Sequence, residues 1–201
     1  MPLTDDELKE VDIKQLLADR PNKDVYYLSI AFVIAQASFD PSSKCGAVIV
    51  SKDGRILSTG YNGPLKNSID WEIPLTRPFK YFHFLHGEEN AILAYNGSYQ
   101  DIAGATIYVT GRPCHRCLRN IIQKGITRIV YGVNVTNVVN QDDMDAQAIM
   151  LRHHPEVEIV EIKDNTEVQL LLRKADNYIE NKKKAVANYI VTGLGNGTRA
   201  M

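Results

Sequence analysis

Two short segments carry the side chains that could do hydrolytic metal chemistry. The first is His86-Gly87-Glu88 and the second is Pro113-Cys114-His115-Arg116-Cys117. A Cys-x-x-Cys spacing puts both sulfurs on one side of a helical turn, and a helix N-terminus favours thiolates there. His86 adds an imidazole from a second helix start. Three protein ligands leave one tetrahedral position of a zinc ion open for water, which is the catalytic rather than the structural arrangement. Zinc in such a site lowers the pKa of its water towards roughly 7. Glu88, two residues past His86, is placed to move protons rather than to bind metal, and such general acid–base help contributes roughly 10²–10⁴-fold. The competing readings are a redox cysteine pair and a structural zinc site. The latter would want a fourth side-chain ligand, for which the sequence offers no paired motif.

These residues need elements to hold them. Residues 24–38 are apolar at nearly helical spacing and predict a mostly buried helix, broken by Asp40-Pro41-Ser42-Ser43. Strands are expected over Cys45 to Ser51 and Arg55 to Tyr61, joined by a Lys52-Asp53-Gly54 hairpin turn. Residues 62–85 form a long connection rich in Pro and aromatics, a length that marks function or disorder. Beyond it, helix and strand alternate. Helices are expected over Gly87–Asn96, Cys114–Lys124 (stopped by Gly125) and Asp142–Arg152. Strands are expected over Ala105–Thr110, Arg128–Tyr131 and Val157–Ile162. A charged helix should follow from Asn165 to about Asn188, with a frayed Gly-rich tail from Val191 to Met201. Alternation of this kind predicts an α/β layered fold with parallel crossovers. Ligands in such sheets bind outside the carboxyl ends of strands, and both metal segments fall where a strand or loop enters a helix.

Composition narrows the partners. With 201 residues, 44% hydrophobic and 23% charged, the chain can bury one full core. A net charge of −1 lacks the basic excess that a long nucleic acid wants, so a small diffusible substrate is expected. No apolar run is long enough for a membrane span. The first twelve residues are acidic and lack a signal core, which predicts a cytoplasmic location. Three cysteines, two of them at metal spacing, argue against a disulfide framework.

The His-x-Glu…Pro-Cys-x-x-Cys pattern is one already defined for zinc deaminases of nucleobases. From about Val25 to about Ile162 the sequence resembles the deoxycytidylate deaminases of the cytidine deaminase superfamily. The resemblance rests on the run from Asp40 to Val50, Gly60-Tyr61-Asn62-Gly63, His86 to Ile92, Tyr108-Val109-Thr110, the Pro-Cys-x-x-Cys segment and Ile121 to Ile126. It implies a three-layer α/β/α cytidine deaminase-like fold around a five-stranded mixed sheet, with an extra C-terminal helix. Residues 1–23 would then be an N-terminal extension, 24–163 the deaminase domain, and 164–201 a helix and tail. It implies one Zn²⁺ per subunit, hydrolytic conversion of dCMP to dUMP, and a homo-oligomer from dimer to hexamer. It assigns Asn62 to the deoxyribose and the backbone amide of Gly87 to the base carbonyl. Many members are activated by dCTP and inhibited by dTTP, so the resemblance extends to a nucleotide effector with Mg²⁺.

The chain departs from the family pattern around the pocket. Gly87 replaces an alanine, which would give the base slightly more room. Ala37-Ser38 stands where the family often has Arg-Ser, whose arginine helps hold the phosphate. Gly132 to Gln141 contains no Lys or Arg, and Pro64-Leu65-Lys66-Asn67 follows Gly63. Arg112 could bind a substrate phosphate, although a surface or interface role is favoured. Lys44, Lys66, Arg77 and Lys80 are other possible phosphate partners, each read as solvated. His83 reads as a loop residue, His115 as pointing away from the metal, His153-His154 as a helix end and Cys45 as a small core residue. Trp71, Phe79, Tyr81 and Phe82 could equally cover the base or fill core. Lys182-Lys183-Lys184 reads as a solvated face. Because the phosphate anchors differ, another free nucleotide, nucleoside or base is the alternative substrate. An RNA- or DNA-editing deaminase fits the near-neutral charge less well, and intact ligands and Glu88 argue against a non-catalytic binder.

Overall fold

A computed structural model describes residues 20–133 and 140–195, with side chains to residue 183. Helix α1 spans Lys23–Ala35, capped by the Asn22 side chain, which accepts from Asp24 N. The hairpin follows as β1 (Gly46–Val50) and β2 (Ile56–Tyr61). The long connection then holds β3 (Gly63–Pro64), two 3₁₀ turns and β4 (Phe84–Leu85). Next come α2 (Gly87–Ala94), the short α3 (Tyr99–Ile102), β5 (Thr106–Val109), α4 (His115–Gln123) and β6 (Arg128–Gly132). The chain continues through α5 (Gln141–His153), β7 (Glu158–Ile162) and α6 (Thr166–Gly195).

The main sheet has the order β2-β1-β5-β6-β7. β1 runs antiparallel to both β2 and β5, whereas β5, β6 and β7 are parallel. This is the expected five-stranded mixed sheet. Strand periodicity sends alternate residues to opposite faces, and both faces are covered. Ala47, Ile49, Ile107, Val109 and Ile129 meet Ala91 of α2 and Leu118 and Ile121 of α4. Val48, Val50, Tyr108 and Val130 meet Val25, Leu28 and Ala31 of α1 and Val168 of α6. Two helical layers therefore sandwich the sheet, and the opening turns of α6 complete the second core.

The helices sit close because small residues let them. A Cβ at Gly60 of β2 would lie 2.2 Å from Ala91 N and 2.4 Å from Gly87 O, so only glycine lets α2 lie flush on that strand. This contact fixes the start of α2, where His86 and Glu88 stand.

Two sequence expectations are corrected here. The β3/β4 pairing, Gly63 with Leu85 and Pro64 with Phe84, closes the base of the long connection. Its two-residue strands are too short to show periodicity. The final helix also continues past Asn188 through Gly195, and residues 196–201 of the expected tail lie outside the described residues. So do most of the N-terminal extension, residues 134–139 of the 132–141 loop and the side chain of Lys184. Lys182 packs over Tyr178 at 5.4 Å and Lys183 pairs with Glu180 at 2.7 Å on the surface, consistent with a solvated face. No helix among the described residues is long and apolar enough to cross a membrane.

An ion pair pins α1 to the sheet. Arg128 of β6 donates two bonds to Asp24, at 2.7 and 2.9 Å, and Tyr108 Oη donates a third at 3.0 Å. The Arg128 bond holds the Asp24 carboxyl below its ordinary range, ahead of the opposing burial. A depressed carboxyl contributes stability above its unfolded pKa and loses it as pH falls through the folded value. Asp24→Asn should therefore cost about 1–2 kcal/mol at pH 7, or roughly 2–8 °C of Tm in a chain of this size. The gap to wild type should close as the pH is lowered below about 4. A gap that stays constant across a pH series of thermal melts would show that the charge pair is not its source.

Candidate active site

The two metal segments meet at one end of the sheet. His86 is the N-cap residue of α2 and Cys114 that of α4, with Cys117 in the first turn of α4. The loop that carries Cys114 leaves the carboxyl end of β5, where the Thr110 hydroxyl accepts from Gly46 N at 3.2 Å and Thr110 N donates to Gly46 O at 3.1 Å. Glu89 accepts from the His86 backbone N at 3.0 Å, which fixes the entry to α2.

The three ligand atoms of His86, Cys114 and Cys117 lie within 4.8 Å of one another. His86 Nδ1 is 3.6 Å from Cys114 Sγ and 3.4 Å from Cys117 Sγ. A tetrahedral zinc with Zn–S of ~2.3 Å and Zn–N of ~2.0 Å sets its nitrogen and sulfur ligands ~3.6 Å apart. The donor set and spacing therefore fit zinc. Among the described residues this is the one such trio of His, Cys, Asp or Glu, and Glu88 is not part of it. None of the three cysteines is in a disulfide.

The three ligand side chains also perturb one another. The Cys117 thiol donates to Cys114 and holds it down to about 3, while the same bond and burial push Cys117 up. The bond to Cys114 raises His86 to about 9. Glu88 is 4% exposed, and burial raises its carboxyl above the ordinary range against the pull of His86.

A cavity of about 420 Å³ opens onto these groups. His86, Glu88, Cys114, Asn62 and Arg112 all line it, while Gly87 is not among the lining residues. A Cβ on Gly87 would point at the Cys45 carbonyl, 3.1 Å from its oxygen, and not into the cavity. The extra room expected for the base is thus occupied by backbone. Asn62 is buried and its carboxamide is engaged. Oδ1 accepts from Cys45 N at 2.7 Å, and Nδ2 donates to Asp40 Oδ2 at 3.2 Å and to Ser43 O at 2.9 Å.

Several other readings change. Lys80 is not solvated: it is 3% exposed, paired with an equally buried Asp40 at 2.8 Å, and on the cavity wall. Cys45 lies just before β1 and lines the cavity; burial pushes its thiol up to about 12. Arg112 is half-buried, donating through Nε to Gln147 Oε1 at 3.2 Å and stacking over Tyr131. His115 is bonded through its backbone N and Nδ1 to Asp143, whose other oxygen accepts from Gln147. Gln147 also donates to Pro113 O at 3.0 Å, so α5 braces the whole cysteine loop. Nothing in the sequence pointed to that brace, because Asp143 and Gln147 read as ordinary helix residues. Trp71 and Phe82 are 88% and 76% exposed, so neither covers the site nor fills core; Tyr81 and Phe84 line the cavity instead. His83 is exposed and outside the metal trio.

The model of the cytidine and deoxycytidylate deaminase zinc-binding region matches residues 21–133, which hold all of these groups except the α5 brace. The chain belongs to the cytidine and deoxycytidylate deaminase family. Human deoxycytidylate deaminase is 37% identical over 112 residues, covering 53% of this chain and 62% of that protein. The deoxycytidylate deaminase of Mycobacterium phage D29 is 38% identical over 129 residues, 56% of this chain and 95% of that family member. The chain thus spans less than two thirds of the human relative but nearly all of the phage one. Among solved structures, the dCMP deaminase of cyanophage S-TIM5 with dCMP and dUMP superposes at a TM-score of 0.50. It shares 25% identity, covering 76% of this chain and 100% of that one.

Proposed function

We propose that the protein is a zinc-dependent hydrolase that converts dCMP to dUMP and ammonia. The observation that carries this reading is the trio of His86, Cys114 and Cys117, with His86, Cys114 and a buried Glu88 lining one cavity, in a chain of this family. The phage relatives, one named for this activity and one holding dCMP and dUMP, support the choice of substrate.

His86, Cys114 and Cys117 would hold the zinc. When bound, the metal supplies a water made acidic enough to act as a nucleophile near neutral pH. Glu88 would take a proton from the attacking water as its oxygen adds to C4 of the cytosine, and give that proton to ring N3. It would then take the remaining proton of the added hydroxyl and deliver it to the exocyclic nitrogen as the C4–N bond breaks. The ring keeps the oxygen and the nitrogen leaves as ammonia. Both Nδ2 hydrogens of Asn62 are engaged, so a deoxyribose hydroxyl would donate to the second lone pair of Oδ1. Arg112, on the cavity wall, is assigned to the phosphate, and the Gly87 amide to the base carbonyl on the family resemblance alone. Exposed Trp71, Phe79 and Phe82 on the long connection support self-association into a homo-oligomer.

One feature favours a second reading. Ala37, exposed beside the cavity loop, offers no cation for a monophosphate. Ammonia release should therefore be measured with dCMP, dCTP, cytidine, cytosine, and guanine and adenine compounds. dCMP is expected to give the highest kcat/KM. Release from another member with none from dCMP would transfer the assignment to that compound.

A further inference from the structure

Among the described residues the most unusual charge is Lys80. It sits on a connection whose neighbours Phe79 and Phe82 face solvent, yet it is 3% exposed. Lysines are almost never buried unless paired. Its Nζ donates to Asp40 Oδ1 at 3.1 Å, to Asp40 Oδ2 at 2.8 Å and to Ser42 Oγ at 2.9 Å. Asp40 also accepts from Ser42 N and Oγ, at 2.8 and 2.9 Å, and from Asn62 Nδ2 at 3.2 Å.

A buried pair of this kind is weak evidence for stability, because desolvating two charges offsets their attraction. Its effect on its neighbours is specific. Asp40, kept ionised, can only accept, so it demands the NH₂ side of the Asn62 carboxamide. Ser43 O demands the same side, and Cys45 N demands the oxygen. A flipped amide would set Oδ1 against two acceptors and Nδ2 against a donor. Burial alone would raise the Asp40 carboxyl, but bonds from Lys80 and Ser42 outweigh it and hold it below the ordinary range. The same network reaches the metal end: Asn62 N donates to Cys45 O at 3.0 Å, and Gly87 of α2 backs onto that carbonyl.

We infer that Lys80 is a positioning residue of the cavity: through Asp40 it fixes the Asn62 carboxamide, and it ties the connection between β3 and β4 down as the cavity's outer wall. The inference rests on the deaminase reading only for the choice of substrate.

The test uses the zinc-loaded full chain carrying Lys80→Met, Asp40→Asn, Asn62→Ala, and Lys80→Met with Asn62→Ala. Lys80→Met is expected to raise KM for dCMP roughly tenfold or more while kcat stays within about threefold. Its effect should fall below about twofold in the Asn62→Ala background, since coupled residues are not additive. A readout free of turnover is the Asn62 side-chain NH₂ signal in ¹H–¹⁵N NMR, assigned by its loss in Asn62→Ala. Its solvent exchange should rise about tenfold or more in Lys80→Met. If Lys80→Met does not fold, the isosteric Asp40→Asn carries both measurements with the same expectation. Unchanged KM and unchanged NH₂ exchange in a folded variant, or an equal Lys80 effect with and without Asn62, overturns the inference. If wild type acts on another compound, the kinetics are read with that compound. If it acts on none, the exchange rates alone decide.

Discussion

Glu88→Gln is expected to lower turnover by roughly 10²–10⁴-fold with zinc content unchanged. The substitution keeps the size and shape of the side chain and removes only its ability to take and give a proton. Glu88 is 4% exposed on the cavity wall and stands outside the ligand trio, so the metal should not sense the change. Burial raises its carboxyl above the ordinary carboxylate range, against the pull of His86. KM should move little, because the lost interaction belongs to the transition state rather than to the bound substrate. Steady-state kinetics with metal analysis of the same sample checks this. A zinc-replete variant that keeps more than about half of wild-type kcat would remove Glu88 from the proton path.

The site's geometry was legible because it is local. A Cys-x-x-Cys turn and a His-x-Glu segment each lie within one helix start, and the structure brings His86, Cys114 and Cys117 together as their spacing predicts. The layers were legible for a similar reason: β1 is buried along its whole length, as a strand covered on both faces must be. What the sequence did not disclose depends on partners far along the chain. Lys80 reads as solvated on a polar and aromatic connection, and only Asp40, forty residues earlier, makes it a buried residue. His115 finds Asp143 and Arg112 finds Gln147 only when α5 docks. Gly87 reads as added room until the Cys45 carbonyl appears against it. The strand order, with β1 between β2 and β5, is likewise set by non-local pairing that no window of sequence contains.

Cys114→Ala should lose the zinc, lose turnover and lower the melting temperature, and added zinc should restore none of these. Two sulfurs and one imidazole from the starts of α2 and α4 would make the site, so the metal would join those two helices. A metal held at a thousand times its dissociation constant adds about 4 kcal/mol to the folded state, or roughly 8–16 °C of Tm at this chain length. The loss need not unfold the protein. The α2 and α4 helices also pack on the same face of the sheet through Ala91, Leu118 and Ile121, contacts that need no metal. Wild type treated with a chelator should accordingly lose turnover and the same part of its Tm, then regain both on zinc addition. Binding must also displace protons from the ligands, so zinc should be released as the pH falls. Full zinc occupancy in Cys114→Ala by elemental analysis would contradict the ligand assignment. Chelated wild type that keeps its turnover would place the reaction outside this metal site altogether.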